Sequence, residues 1–303
     1  MVQYTVLVCK NGGTLVSYSL YQGIRQSKSK ASRVLVLVTA GMAGLGVAVV
    51  LPLAAKADTQ TIVVTPAHTQ GWTVADQEAG GAYAYVTDAT SPLPNGALQL
   101  STDGNNASKL QYMHATDTNL SDVTALSYST KQVSGPAVAD PSYQLAVDLN
   151  GAAAGGFTTL VYEPYWNGTV TPGAWQQWDV ATANAQLWSS RSFSDGTCSV
   201  TAGAGGAPFY SLAGLQAACP DAVVEGFGVN VGTYNPNYLV EIDGVNFNGT
   251  TYDFQLSNAP TGKDACKDGG YMALTDENGN AFKNQGQCVS WVEHSVLGHG
   301  NGR

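Results

Sequence analysis

Residues 143–150 read YQLAVDLN, an unbroken alternation of apolar and polar side chains. Successive side chains of a strand point to opposite faces. Tyr143, Leu145, Val147 and Leu149 therefore share one face, and Gln144, Ala146, Asp148 and Asn150 the other. A strand with one apolar side belongs to a sheet whose inner face is covered by a second layer. The same period recurs in shorter pieces. Residues 82–86 place Tyr83 and Tyr85 together, 97–101 turn Leu98 and Leu100 inward, 109–114 pair Leu110 with Tyr112, and 123–130 offer Leu126 and Tyr128. Further strands are expected at 61–64, 72–74, 160–163, 175–180, 223–231, 238–243, 245–247 and 251–255, with Asn248-Gly249 as a tight turn. Helices are expected only at 212–218 and 284–294. Short strands separated by Gly, Pro and Asn turns, with no strand–helix–strand rhythm, make an all-β chain. The expected architecture is an antiparallel β-sandwich with jelly-roll-like connections. Charged residues are only 12% of the chain; strong helix formers such as Glu, Lys and Leu are sparse, while Val, Thr and Tyr recur, as strands prefer.

The aromatic centre of the chain is 158–193, which holds Trp166, Trp175, Trp178 and Trp188. It starts as a strand at 160–163, breaks at Pro164, turns at Asn167-Gly168 and Pro172-Gly173, and resumes at 175–180. We read it as a hairpin of aromatic strands. Trp175 and Trp178 are three apart and so lie on opposite faces. Tyr162, Tyr165, Trp166, Trp175 and Trp178 are the candidate ligand-binding residues, because an aromatic ring left at the surface can stack on the apolar face of a sugar.

Charge divides the chain. Six of the 13 basic residues precede residue 58, in a stretch without an acid, so the remainder carries seven against 22 acidic. Such a body repels phosphates, and no nucleic-acid partner is expected. Arg25, Lys28, Lys30 and Arg33 precede an apolar run at 34–53, and Ala55-Lys56-Ala57 follows it. These are the three parts of a secretory signal, cleaved after Ala57. If it were not cleaved, the run is long enough to be a membrane anchor, the chain's one route to a membrane. The expected division is 1–57 as extension and signal, 58–258 as the sandwich, and 259–303 as a Cys-closed tail with a short helix. The location is extracellular or at the cell surface. Four cysteines follow the signal, an even number in an exported body. Local pairing, Cys198–Cys219 and Cys266–Cys288, is the expected connectivity of the three that four cysteines allow.

Catalytic and metal chemistry have weaker signatures. Six glutamates exist, and Glu163 and Glu241 fall on strands beside aromatics, but no closely spaced E-x-D-x-x-E pair stands in the chain. Glycoside hydrolysis needs two carboxylates across the scissile bond. Glu163 is expected to bond a backbone group or Arg191. There is no G-x-S-x-G elbow for nucleophilic catalysis. Calcium is the cofactor the sequence could suit, through Asp103, Asn105, Asp148, Asn150 and Asp243. Turn chemistry explains the same residues.

The segments LVYEPYWNGTVTPGAWQQWD, GFGVNVG and VEIDGVNFNGTTYDF, with the tail CKDGGY…FKNQGQCVSWV, resemble a jelly-roll, lectin-like domain of secreted bacterial proteins without an assigned activity. The resemblance covers residues 72–292 and implies the sandwich, export and the Cys-closed tail. It implies no catalytic residue. The expected function is a non-catalytic surface or binding module, with polysaccharide as the leading ligand. A structural or adhesive protein with surface-protein partners is the rival, and a glycan-active enzyme the third reading.

Overall fold

The computed structural model describes residues 59–93, 96–151, 153 and 155–295, together with the backbone of two strands near the start of the chain. It divides into two compact units, Met1–Lys56 and Ala57–Arg303. In the first, β1 (Val2–Lys10) and β2 (Thr14–Gln22) pair antiparallel. The basic segment, the apolar run and Ala57 lie outside the described residues, as does the end of the chain after 295. Among the described residues no helix is long and apolar enough to cross a membrane.

The second unit carries β3 (Gln60–Val64), β4 (Trp72–Glu78), β5 (Gly81–Val86), β6 (Ala97–Thr102), β7 (Lys109–Asn119), β8 (Leu126–Ser134), β9 (Ser142–Asp148) and β10 (Phe157–Tyr162). A one-turn helix α1 (Pro164–Asn167) then precedes β11 (Gln176–Asp179), β12 (Leu187–Ser189), β13 (Phe193–Asp195) and β14 (Cys198–Val200). Helix α2 (Leu212–Ala218), β15 (Val223–Val231), β16 (Leu239–Phe247), β17 (Thr250–Phe254) and α3 (Gln285–Ser295) complete it. One sheet runs β12-β10-β9-β15-β7-β4, the other β11-β8-β16-β17-β3, with β6 also on β16 and β5 on β6. This is the expected antiparallel, jelly-roll-like β-sandwich. One pair departs from the rule: β3 lies parallel to β17.

The alternations decide which faces meet. Tyr143, Leu145, Val147 and Leu149 are all buried, as are Leu98, Leu100, Leu110, Tyr112, Leu126 and Tyr128. They join one core between the sheets. Its aromatic centre is Trp72 from β4, ringed by Tyr112, Phe227, Tyr252 and Phe254 with centroids 5.1–5.8 Å away. Offset and edge-on contacts of this kind add to the apolar burial. Buried tyrosines reach across to carbonyls: Tyr143 Oη donates to Asn246 O at 3.0 Å and Tyr128 Oη to Pro141 O at 2.7 Å. The turn Asn248-Gly249 has positive φ at both residues, the two-residue type that a twisted hairpin requires.

The aromatic hairpin expected at 158–180 is not formed. β10 pairs with β9 and β12 in the six-stranded sheet, whereas β11 pairs with β8 in the other. Pro164 does not merely interrupt a strand; it opens α1, a position where its missing N–H costs nothing. The chain changes sheets there. Both local disulfides form. Cys198 and Cys219 belong to the main core. Cys266 and Cys288 sit in a separate small cluster with Phe282 and Val292, flanked by Tyr271 and Trp291.

Candidate functional site

The outward face of the six-stranded sheet carries a groove of about 1120 Å³. Register builds its floor. Asp76, Gln111, Asn230 and Ser142 stand side by side on β4, β7, β15 and β9. Gln144 stands beside Val161 of β10, which stands beside Trp188 of β12. The polar members of these alternations are tied together. Gln111 Nε2 donates to Gln144 Oε1 and Gln144 Nε2 donates to Ser142 Oγ at 3.3 Å; with its amide O and N exchanged, the orientation its neighbours favour, Asn230 accepts from Gln144 Nε2 and Gly232 N at 3.2 Å and donates to Leu110 O. Gln144, Ser142 and Asn230 are nearly fully buried. A satisfied amide network of this kind is rigid and presents fixed dipoles.

Loops wall the groove. Pro136 and Val138 come from the β8–β9 connection, Tyr234 from β15–β16, and Tyr165 with Gly205 from α1 and the Cys198–Cys219 insert. Tyr234 is 79% exposed, held at φ 65°, and Tyr165 is 38% exposed. Phe157 lines the other lip, with the Arg191 guanidinium 5.0 Å above its ring. Arg191 therefore stacks on Phe157; no ion pair with Glu163 forms among the described residues. The Lys109–Asp76 ion pair lies at the β4–β7 end.

Besides Asp76, two further carboxyl groups line the same groove, Glu163 and Asp140. Burial raises Glu163 to about 8; the Trp188 indole N–H beside it opposes that rise, though the two make no hydrogen bond of full geometry. Burial raises Asp140 to about 6, against hydrogen bonds from Thr130 and Trp178. Trp178 Nε1 donates to Asp140 Oδ2 at 3.2 Å and to Thr130 Oγ1 at 2.8 Å. Asp140 Oδ1 and Tyr238 Oη are buried without a partner. The Asp140 and Glu163 charges both add to the rise that burial imposes on the Tyr238 hydroxyl.

The five aromatics read as ligand-binding residues are scattered. Tyr165 lines the groove. Trp166 is 44% exposed beyond its wall, where its indole N–H, like the Tyr165 hydroxyl, donates to Gly205 O. Tyr162 and Trp178 are core residues and present no face to a ligand, a correction that follows from β10 and β11 turning those positions inward. Trp175 lies over the other sheet, bonded to Asp88 Oδ2 at 3.1 Å, with Lys131 Nζ 5.2 Å above its ring. Lys131 there bridges Asp88 and Glu241.

The acidic residues read as calcium ligands occupy three places and act on the backbone. Asp103 Oδ1 accepts from Asn105 N at 2.8 Å, and Asn105 Oδ1 from Ala107 N at 3.0 Å. Asp148 Oδ1 accepts from Asn150 N at 3.3 Å at the end of β9. Asp243 is fully buried, accepts from Leu93 N and Phe254 N, and is raised by burial to about 7. Among the described residues no three acidic, His or Cys side chains converge.

Asp140, Tyr238, Tyr234, Gln111, Asn230 and Arg191 carry no local motif. The available signal was the polar half of each alternation, Gln144 above all.

No family model matches the chain, and no curated protein does. Among solved structures it is similar to a family 11 carbohydrate-binding module from Clostridium thermocellum in complex with a β-1,3-1,4-mixed-linked tetrasaccharide. The TM-score is 0.36 at 12% identity, over 58% of this chain and 88% of that one. A carbohydrate-binding module of the β-sandwich superfamily, described for its promiscuous specificity, gives 0.35 at 10%, over 81% and 74%. A β-1,2-glucanase from Parabacteroides distasonis gives 0.30 at 10%, over 63% and 24%.

Proposed function

We propose that this protein is an exported, non-catalytic module that binds a polysaccharide in the groove of its six-stranded sheet. The observation that carries the reading is the combination of a rigid amide floor with exposed rings at the lip. The buried amides hold Gln111, the partly exposed amide of the floor, where it can offer a donor and an acceptor to sugar hydroxyls, and Tyr234 and Tyr165 offer apolar faces. The two disulfides support an oxidising destination.

The test is affinity electrophoresis of the full chain through gels holding different polysaccharides, with calcium and with chelator, followed by staining for polymer. One neutral polysaccharide is expected to retard the protein. Tyr234→Ala is expected to weaken that retention about tenfold, as loss of an exposed aromatic anchor does. Retention is expected to persist in chelator, because the acids read as calcium ligands serve backbone N–H groups. Asp140 and Glu163 in one groove favour a second reading, a glycan-active enzyme. Clearing of the polymer along the track would establish it and displace the first. No retardation in any gel would move the search to protein partners.

A further inference from the structure

Accepting that reading of the groove, we propose that its end beneath the β8–β9 and β15–β16 loops is a discrete subsite gripping one uncharged sugar unit, with Tyr238 Oη, Asp140 Oδ1 and Trp188 Nε1 as its hydrogen-bonding groups. The observation is a coincidence of unused polar atoms. Asp140 is 6% and Tyr238 2% exposed, both line the groove, and neither Asp140 Oδ1 nor Tyr238 Oη has a hydrogen-bond partner. Trp188 Nε1, also buried, makes no hydrogen bond of full geometry. Buried polar atoms are nearly always paired, and an unpaired one is costly. Here a donor beside Glu163, an acceptor and a hydroxyl that can be either lack partners of full geometry on residues that all line the groove; the three atoms are enclosed, so a guest must reach them by a small displacement of the loops that cover them.

The surroundings hold these atoms for a guest. Asp140 Oδ2 is fixed by Thr130 Oγ1 and Trp178 Nε1, which leaves Oδ1 as the free acceptor. Tyr238 packs against Gly135, where a Cβ would stand 2.5 Å from its ring, so the β8–β9 loop can lie directly on that side chain. A sugar hydroxyl both donates and accepts. It can give its proton to Asp140 Oδ1 and take one from Tyr238 or Trp188. The carboxylate of a uronate, or a sulfate group, cannot do this, because it has no proton to give to Asp140 Oδ1. The groove's cations do not reverse that preference: Lys109 is paired with Asp76 and Arg191 lies at the Phe157 lip.

Tyr238→Phe removes one oxygen and no packing. Full-length wild type, Tyr238→Phe, Trp188→Phe and Tyr234→Ala are run through gels of mixed-linkage β-glucan, glucomannan and polygalacturonate, and each variant's Tm is measured. The expected result is retention of wild type by a neutral polymer and not by polygalacturonate. Tyr238→Phe and Trp188→Phe should each weaken it about tenfold, with the Tm of Tyr238→Phe within about 2 °C of wild type. If Tyr238→Phe and Trp188→Phe bind as wild type while Tyr234→Ala does not, the groove reading stands and the subsite falls, its open atoms serving structural water. Should Tyr238→Phe melt far below wild type, Trp188→Phe alone decides between those outcomes. Preference for polygalacturonate overturns the uncharged ligand. Wild type retained by none of the three overturns the subsite together with the reading on which it rests.

Discussion

The melting temperature of this protein is expected to fall by at least about 5 °C between pH 5 and pH 8. The main cause is three acids whose protons the fold holds above the usual carboxylate range, with burial raising Asp253 in the same direction. Burial raises Glu163 to about 8, Asp243 to about 7 and Asp140 to about 6. In the unfolded chain the same groups ionise near 4. Between those values the folded state binds more protons than the unfolded one, so stability declines as pH rises. The contribution is complete below the unfolded pKa and is gone once pH passes the folded one. Each acid costs up to about 1.4 kcal/mol per pH unit in that window, and 1 kcal/mol is about 2–4 °C for a body of this size. The acids held below their ordinary value act elsewhere. Asp264 and Glu293 are lowered by Lys267 and Lys263, and Asp88, despite the upward push of its burial, by Lys131 and Thr90. Their contribution is lost only on acidification below about pH 4. Thermal melts from pH 3 to pH 9 check this, with Glu163→Gln as the control that flattens the alkaline slope. A Tm that is level or rising from pH 5 to pH 8 would sink the account.

The two disulfides should fail differently. Cys198 and Cys219 are buried in the main core with Val200, Leu212 and Leu215, and their bond closes an insert beside the groove wall. Replacing both with Ala is expected to cost the sandwich about 3 kcal/mol, the usual loss for a loop of this length. Cys266 and Cys288 serve a cluster whose fully buried members are themselves, Phe282 and Val292. That is too little apolar surface to hold a fold without a staple. The Cys266→Ala, Cys288→Ala pair should therefore release the tail while the sandwich melts within about 2 °C of wild type. Limited proteolysis with mass spectrometry distinguishes the cases: early cuts between 263 and 295 are expected in the second variant and not in the first. A tail that stays protected without its bridge would show that contacts such as Asn258 N to Thr275 Oγ1 suffice to hold it.

What the amino-acid order reveals here is local. The alternation at 143–150 identifies both the strand and its buried face, and Asn248-Gly249 identifies a hairpin. Helix α2 falls where Ser211 can accept from Gly214 N at 3.1 Å and Leu212 and Leu215 can be buried. Partnership between strands is not local. Residues 160–163 and 175–180 both read as strands, but nothing in them says that β10 joins one sheet and β11 the other. The groove suffers from the same blindness. Gln111, Gln144 and Asn230 are adjacent only because β7, β9 and β15 are, and these strands are far apart in the chain. Rings attract attention in a sequence, yet Tyr162 and Trp178 are needed inside. The amides that pave the groove look like ordinary solvent-facing positions until the register is known.

The parallel seam between β3 and β17 has a consequence for how the molecule comes into being. Gln60 lies beside Thr250, and almost the whole sandwich separates them in sequence. The first strand of the body to be synthesised is thus completed by the last. A nascent chain carrying β3 has no partner for that edge until β17 has left the ribosome, so the seven-stranded sheet cannot finish vectorially. Long-range pairings of this sort slow folding, because chain entropy is lost before the contact is gained. The final event of assembly should be this closure, and a chain truncated before residue 250 should remain open at the same edge, with β3 exposed.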